Sequence, residues 1–107
     1  MTRTLEVKNE NLNQIEISKA LKPYRLLVNI DLSMNKIALI SGGFEACPHL
    51  KSVVISDNLL KEISPFMFQK CKQLRRLNLD INQISRIANL HNLTELQDLS
   101  IQNNKIT

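Results

Sequence analysis

Residues 74–84, LRRLNLDINQI, carry a spacing that few folds accommodate. Apolar side chains stand at Leu74, Leu77, Leu79 and Ile84, with an amide at Asn82. The Leu77/Leu79 alternation puts two side chains on one face of an extended strand. Asn82 suits the turn that follows, because its side chain bonds backbone groups that a turn leaves open. The spacing recurs at Leu27, Ile30, Leu32, Asn35 and Ile37, and at Leu50, Val53, Ile55, Asn58 and Leu60. It returns at Leu96, Leu99, Ile101, Asn104 and Ile106. Successive starts lie 23, 24 and 22 residues apart. A unit this short cannot bury its apolar face alone, so each must stack on its neighbours.

A period in this range with this internal pattern resembles the leucine-rich repeat family, and the resemblance covers almost the whole chain. It implies an α/β fold: a right-handed solenoid forming a horseshoe segment. Short parallel strands would line the concave face, and 3₁₀ or short helical turns the convex one. One domain is expected over residues 1–107. Its parts are a degenerate first repeat (2–26), repeats 27–49, 50–73 and 74–95, and an incomplete last repeat (96–107). In the first, Leu5 and Val7 take the strand positions, Thr2 the opening place, Glu10 the asparagine place and Leu12 the closing one. Such a departure fits a terminal repeat, which lacks a neighbour on one side. The last repeat resembles the phosphatase-regulator-like subclass. The Phe-x-x-Cys-x-x-Leu returns of the middle repeats are closer to longer repeat types.

The segments between strands align as well. One column holds Tyr24, Cys47, Cys71 and Leu93, a second Leu21, Phe44, Phe68 and Leu90, and a third Ile15, Ile40, Ile63 and Ile87. These are expected to be rungs of one stacked core. Three-residue steps through Ile84, Ile87, Leu90, Leu93 and Leu96 suit a 3₁₀-like return. Short helical turns are expected around Phe44 and Phe68, with Pro65 at a first position, and over residues 18–22, limited by Pro23. Gly42-Gly43 reads as a turn before Phe44.

Cys47 and Cys71 share a column in adjacent rungs, at a distance that does not exclude a disulfide. The column also holds Tyr24 and Leu93, so two buried thiols acting as small apolar side chains are expected. His49 and His91 lie in outer turns and complete no metal-ligand set. Asn35, Asn58, Asn82 and Asn104 are expected to form a structural ladder that satisfies buried backbone groups, rather than a sugar or nucleotide site.

With hydrophobic residues at 43% and aromatics at 4%, the core must be built from Leu and Ile. Neither a signal-length apolar run at the N-terminus nor a span of about 18 apolar residues is present. The expectation is a cytoplasmic chain without a membrane partner, in which the sequon Asn92-Leu93-Thr94 is idle.

Function is sought where the pattern leaves positions free, the second, third, fifth, seventh and eighth of each unit, all expected on the concave face. The net charge of +4 and a pI near 9.3 hint at nucleic acid. That concave set, however, holds five cations (Arg3, Lys8, Lys51, Arg75, Arg76) and five anions (Glu6, Asp31, Asp57, Asp80, Asp98). Its net charge is zero, and no aromatic residue stands there for base stacking, so nucleic acid is not expected as partner. Met34, Val54 and Ile81 are apolar on this surface and are surrounded by Asp31, Asp57, Asp80, Arg75 and Arg76. Apolar anchors among charged residues resemble a protein-binding patch, with arginine as its charged hot spot.

No Ser/His/Asp set and no phosphate loop occurs, so neither catalysis nor a cofactor is expected. The chain stops one residue after Ile106, leaving the last rung open; a piece of a longer protein or weak self-association through that end is expected. The reading is a non-enzymatic interaction module or scaffold binding a partner protein on its concave face. Its alternatives are a structural fragment of a larger repeat protein and a segment of an extracellular recognition receptor.

Overall fold

The computed structural model describes residues 2–107; the side chains of residues 14–18 and of Ser41 lie outside the described set. Five three-residue strands, β1 (Thr4–Glu6), β3 (Asn29–Asp31), β5 (Ser52–Val54), β6 (Arg76–Asn78) and β7 (Asp98–Ser100), form one parallel sheet. Its spatial order is the chain order, with Leu5 opposite Ile30, Ile30 opposite Val53, Val53 opposite Leu77 and Leu77 opposite Leu99. Each unit therefore adds one rung, and parallel crossovers of this kind wind right-handed. The degenerate first repeat joins the stack in the register its Leu5 implies.

The strands are short because only their middle residue is a sheet position with a buried side chain. Ile30, Val53 and Leu77 are buried in the middle of β3, β5 and β6. The opening leucines Leu27, Leu50 and Leu74 and the closing residues Ile37, Leu60 and Ile84 join them in one continuous core. The rungs at the two ends are half open: Leu5, Val7 and Leu12 are only partly buried, and so are Leu96 and Ile101. Leu99 is 41% exposed.

The four asparagines tie each rung to the one before it. The Asn58 side-chain amide donates to the carbonyls of Ile55 and Ser56 in its own turn and to Leu32 in the preceding rung, and its oxygen accepts the Ile37 N–H. Asn82 repeats this with Leu79, Asp80, Ile55 and Leu60. Asn35 reaches back to Val7, Glu10 and Leu12, and Asn104 to Leu79 and Ile84. Backbone groups at the strand exits would otherwise be buried without partners. None of the buried side-chain N or O atoms among the described residues lacks a hydrogen bond.

The returns step by three. Cys47 and Leu50 donate to Phe44 and Cys47; Cys71 and Leu74 to Phe68 and Cys71; Leu93 and Leu96 to Leu90 and Leu93. These i→i+3 bonds are the local geometry of a 3₁₀ turn. Phe44 and Phe68 stack in adjacent rungs with centroids 5.6 Å apart and planes 5° from parallel. Both cysteines are free, buried thiols, and the Cys47 Sγ–H points at the Tyr24 carbonyl 3.3 Å away. Burial pushes the Cys71 thiol up to about 12, with Cys47 and Glu45 adding to the effect.

Several expectations fail here for physical reasons. The short helical turns expected at Phe44 and Phe68 are hydrogen-bonded turns, and Pro65 opens a turn closed by Met67 N–H on Ser64 rather than a helix. A helix α1 (Ile17–Ala20) does form, but Pro23 lies inside a 3₁₀ turn, Lys22–Tyr24, whose first positions need no proline N–H. The convex side also holds an unforeseen two-stranded parallel sheet, β2 (Gln14–Glu16) against β4 (Leu39–Ser41). Ile87, placed in the third core column, is 51% exposed. Repeat 74–95 is shorter there, and Asn89 takes over by donating to the Ile63 carbonyl at 2.7 Å. Ile15 of the same column lies outside the described side chains. Gly43, read as turn punctuation, is buried against Phe66 and Met67 of the next rung.

Candidate functional site

Because the middle residue of each strand points into the core, its two neighbours face outward. One outward row is Thr4, Asn29, Ser52, Arg76 and Asp98; the next is Glu6, Asp31, Val54, Asn78 and Ser100. Two shallow depressions lie on this face, of about 200 and 310 Å³, and Val54 lines both. Val54 is the aliphatic residue of these two rows, and the structure places it at the middle strand. Asp31 shares its first depression and Arg76 its second.

The charged candidates are partly held by the protein itself. Asp31 accepts the Ser33 N–H at 2.9 Å and lies 3.9 Å from the Lys8 ammonium. Asp80 accepts the Ser100 hydroxyl at 2.6 Å and the Gln102 N–H at 2.7 Å. These two carboxylates set the sheet's exit turns as well as facing outward. Arg76 pairs with Asp98 at 3.7 Å, both well exposed, so this ion pair contributes little stability and remains available to a partner. Arg75 precedes β6 and is exposed.

Met34, Asp57 and Ile81 do not sit on the strand pleat with Val54. They occupy the eighth position, where the backbone turns left-handed, with φ of 58°, 56° and 55°. Each donates its N–H across to the next rung: Met34 to Ser56, Asp57 to Asp80 and Ile81 to Gln102. They form a separate exposed row along the exit rim, beside the face that Val54 centres. Ser33, counted with the concave positions, is buried, at 7% exposed. His49 and His91 are exposed in the returns, as the sequence places them.

Against known proteins, the family model described as leucine rich repeat matches residues 48–106. The chain belongs to the leucine-rich repeat family. It is similar to chaoptin of Tribolium castaneum, at 32% identity over 107 residues, covering 97% of this chain and 12% of that protein. It is also similar to the 187-kDa microtubule-associated protein AIR9 of Arabidopsis thaliana, at 29% identity over 102 residues, covering 74% of this chain and 6% of AIR9. Among solved structures, a chain of the Drosophila melanogaster SNF/U2A′ complex superposes with a TM-score of 0.71 at 23% identity. That match covers 96% of this chain and 59% of the other, and it establishes the likeness of fold. This leucine-rich repeat chain thus spans 12% and 6% of the length of the curated relatives it matches.

In this leucine-rich repeat chain the eighth position carries backbone strain. Asparagine or aspartate tolerates a left-handed residue, and Asn9, Asp57 and Asn103 follow that preference. Ile81 does not: a β-branched side chain at positive φ costs about 1–2 kcal/mol, yet it is 49% exposed and fills no core space. Replacing Ile81 with Asn is expected to raise unfolding free energy by about 1 kcal/mol in urea titration. If stability falls instead, Ile81 is a packing residue.

Proposed function

We propose that this chain is a non-enzymatic interaction module that holds a partner protein against its five-stranded face, centred on Val54. The observation that carries this reading is the convergence of both depressions of that face on the aliphatic Val54, with Asp31 on one side and Arg76 on the other. An apolar centre with a charged rim is the anatomy of a protein interface. The exposed Met34 and Ile81 extend the contact along the exit rim, beside Asp57 and Asp80, and Arg75 flanks it at the entry side. A solved neighbour of the same fold was determined within a complex, which agrees with this reading.

A photo-crosslinking residue at Val54, compared with one at the exposed Lys61 outside the strands, tests the assignment. The expected result is a partner adduct from position 54 and none from 61. Val54→Glu should weaken capture of the same partner by about tenfold, equivalent to about 1.4 kcal/mol, with an unchanged circular dichroism spectrum. Equal adducts from both positions would contradict the face. The small share of its relatives' length that the chain spans favours a second reading, a rung segment within a longer array. No partner adduct from either position would favour that purely structural role.

A further inference from the structure

Summed over all its outward positions, the strand face is neutral, but the structure shows that the charges are sorted. All five strands run parallel, so their entries share one edge and their exits the other. Positions two and three, at the entry edge, carry Arg3, Lys51, Arg75 and Arg76 against Asp98 alone. The positions from the fifth to the eighth, toward the exit, carry Glu6, Asp31, Asp57 and Asp80 against Lys8 alone. The two ion pairs among the described residues, Lys8–Asp31 and Arg76–Asp98, neutralise the minority charge of each edge. Arg3, Lys51 and Arg75 are left as the uncompensated charges of the entry edge.

These three are also aligned. The Arg3 carbonyl accepts the N–H groups of Val28 and Asn29, that of Val28 those of Lys51 and Ser52, and that of Lys51 those of Arg75 and Arg76. Arg3, Val28, Lys51 and Arg75 therefore follow one another at the spacing of neighbouring strands, about 4.8 Å per rung. Between the first two returns, whose last residues precede Val28 and Lys51 in the chain, lies a depression of about 590 Å³. Its apolar lining is Leu26, Ala46 and Pro48; Lys22, Arg25 and His49 are the basic residues around it, with Glu45 the single carboxylate.

We propose that the entry edge of the sheet is a docking strip for an acidic, extended segment of a partner protein, with one apolar side chain seated in the depression beside Leu26. The proposal rests on the reading of the strand face as the binding surface and adds the chemistry of what binds. Charge complementarity selects carboxylates, and the geometry selects a narrow ligand. The three steps from Arg3 to Arg75 span about 15 Å, which about five extended residues cover. The acidic band lies about three residues along each strand, roughly 10 Å away. A nucleic-acid duplex, whose major groove alone is about 12 Å wide, lays phosphates over both bands. A single peptide strand lies over the basic row and avoids the acidic one, which also fixes its placement.

The test is fluorescence anisotropy with a labelled nonapeptide of glutamates carrying one central leucine. Saturable binding is expected that weakens as salt is raised from about 50 to 500 mM, because the charges are exposed. The double variant Lys51→Glu/Arg75→Glu should lose at least about tenfold in affinity, while Lys36→Glu/Lys105→Glu, with the same charge change beyond the exit edge, stays within about twofold. Replacing the central leucine of the peptide by serine should weaken binding by about threefold or more. Equal losses in the two double variants would reduce the effect to net charge and overturn the proposal. Absence of peptide binding, or a duplex RNA bound as tightly as the peptide, would overturn it too. Position-54 adducts that persist when the peptide fails would sink the acidic-segment proposal alone; loss of both would remove the binding face itself.

Discussion

Gly43→Ala is expected to lower the unfolding free energy by about 3 kcal/mol, the upper end of the cost of overpacking a filled interior. A β-carbon at this position would lie 2.5 Å from the Phe66 carbonyl oxygen, 2.7 Å from that of Met67 and 2.8 Å from the Met67 α-carbon. All three are backbone atoms, so no side-chain rotation relieves the contact. The backbone there also belongs to a bond between rungs, because the Phe44 N–H donates to the Met67 carbonyl at 3.0 Å. Making room for a methyl group must push the second rung off the third and disturb the stacked pair Phe44 and Phe68 just beyond it. A domain of this size has roughly 5–15 kcal/mol in total, so the loss is large. Urea titration measures it, with the exposed Lys70→Ala expected within about 0.5 kcal/mol of the parent. A Gly43→Ala protein as stable as its parent would mean that the second and third rungs do not approach this closely.

The second large effect belongs to the asparagine ladder. Asn58→Ala is expected to cost about 3 kcal/mol and Asn82→Ala about the same, because each removes four hydrogen bonds and leaves one buried backbone N–H without a partner, which alone costs about 1–3 kcal/mol. At position 58 the Ile37 N–H in the preceding rung loses its partner, while the carbonyls of Leu32, Ile55 and Ser56 each keep one donor, from Asn35, Asn82 and Met34. Asn104→Ala should cost only about 1 kcal/mol, because Asn104 is only partly buried and water can replace part of what it supplies. Asn58→Asp separates the two halves of the amide's role. It keeps an acceptor for Ile37 but turns a carboxylate toward the carbonyls of Leu32, Ile55 and Ser56. The introduced carboxyl is therefore driven to its protonated form, with a folded pKa above the unfolded value of about 3.9. Its stability contribution is present below that unfolded value and is lost as pH rises through the folded one. Urea melts at about pH 4 and pH 7 should show the variant recovering on the acid side relative to its parent. An Asn104 loss equal to that at Asn58 would contradict the burial gradient.

What the sequence revealed follows from which interactions are local. The strand leucines, the asparagine turns and the three-residue returns are set by spacing within one unit, and their partners repeat at the same spacing. Leu77 against Val53 and Asn82 against Leu60 could be placed for that reason. Features that depend on how one rung meets the next in detail were not legible. Gly43 looked like a turn residue because nothing in its own unit shows Met67 pressing on it. Ile87 fits its column by number but not in space, because its shorter return carries it outward. The pairing of Gln14–Glu16 with Leu39–Ser41 has no alternation in sequence to announce it.

The candidate site was legible in part for the same reason. Val54, Asp31 and Arg76 fall on the outward pleat, where period-two alternation puts them. Met34, Asp57 and Ile81 were grouped with them, but the left-handed backbone at the eighth position turns them onto the rim. The sorting of charge between the two edges disappears in a sum over the whole face, where five cations balance five anions. It is legible position by position, since parallel register converts a position in the repeat into a place on the sheet.

All of this depends on five rungs stacked in parallel register, and spin labels at Thr4→Cys and Asp98→Cys measure that stack directly. The two positions occupy the same row four rungs apart. With Cys47 and Cys71 replaced by alanine, the backbone separation should be about 19 Å, four steps of about 4.8 Å. Pulsed dipolar spectroscopy should then give one narrow distance distribution near that value, broadened by the label arms. A broad distribution, or one centred beyond about twice that distance, would contradict the stack and the binding face built on it.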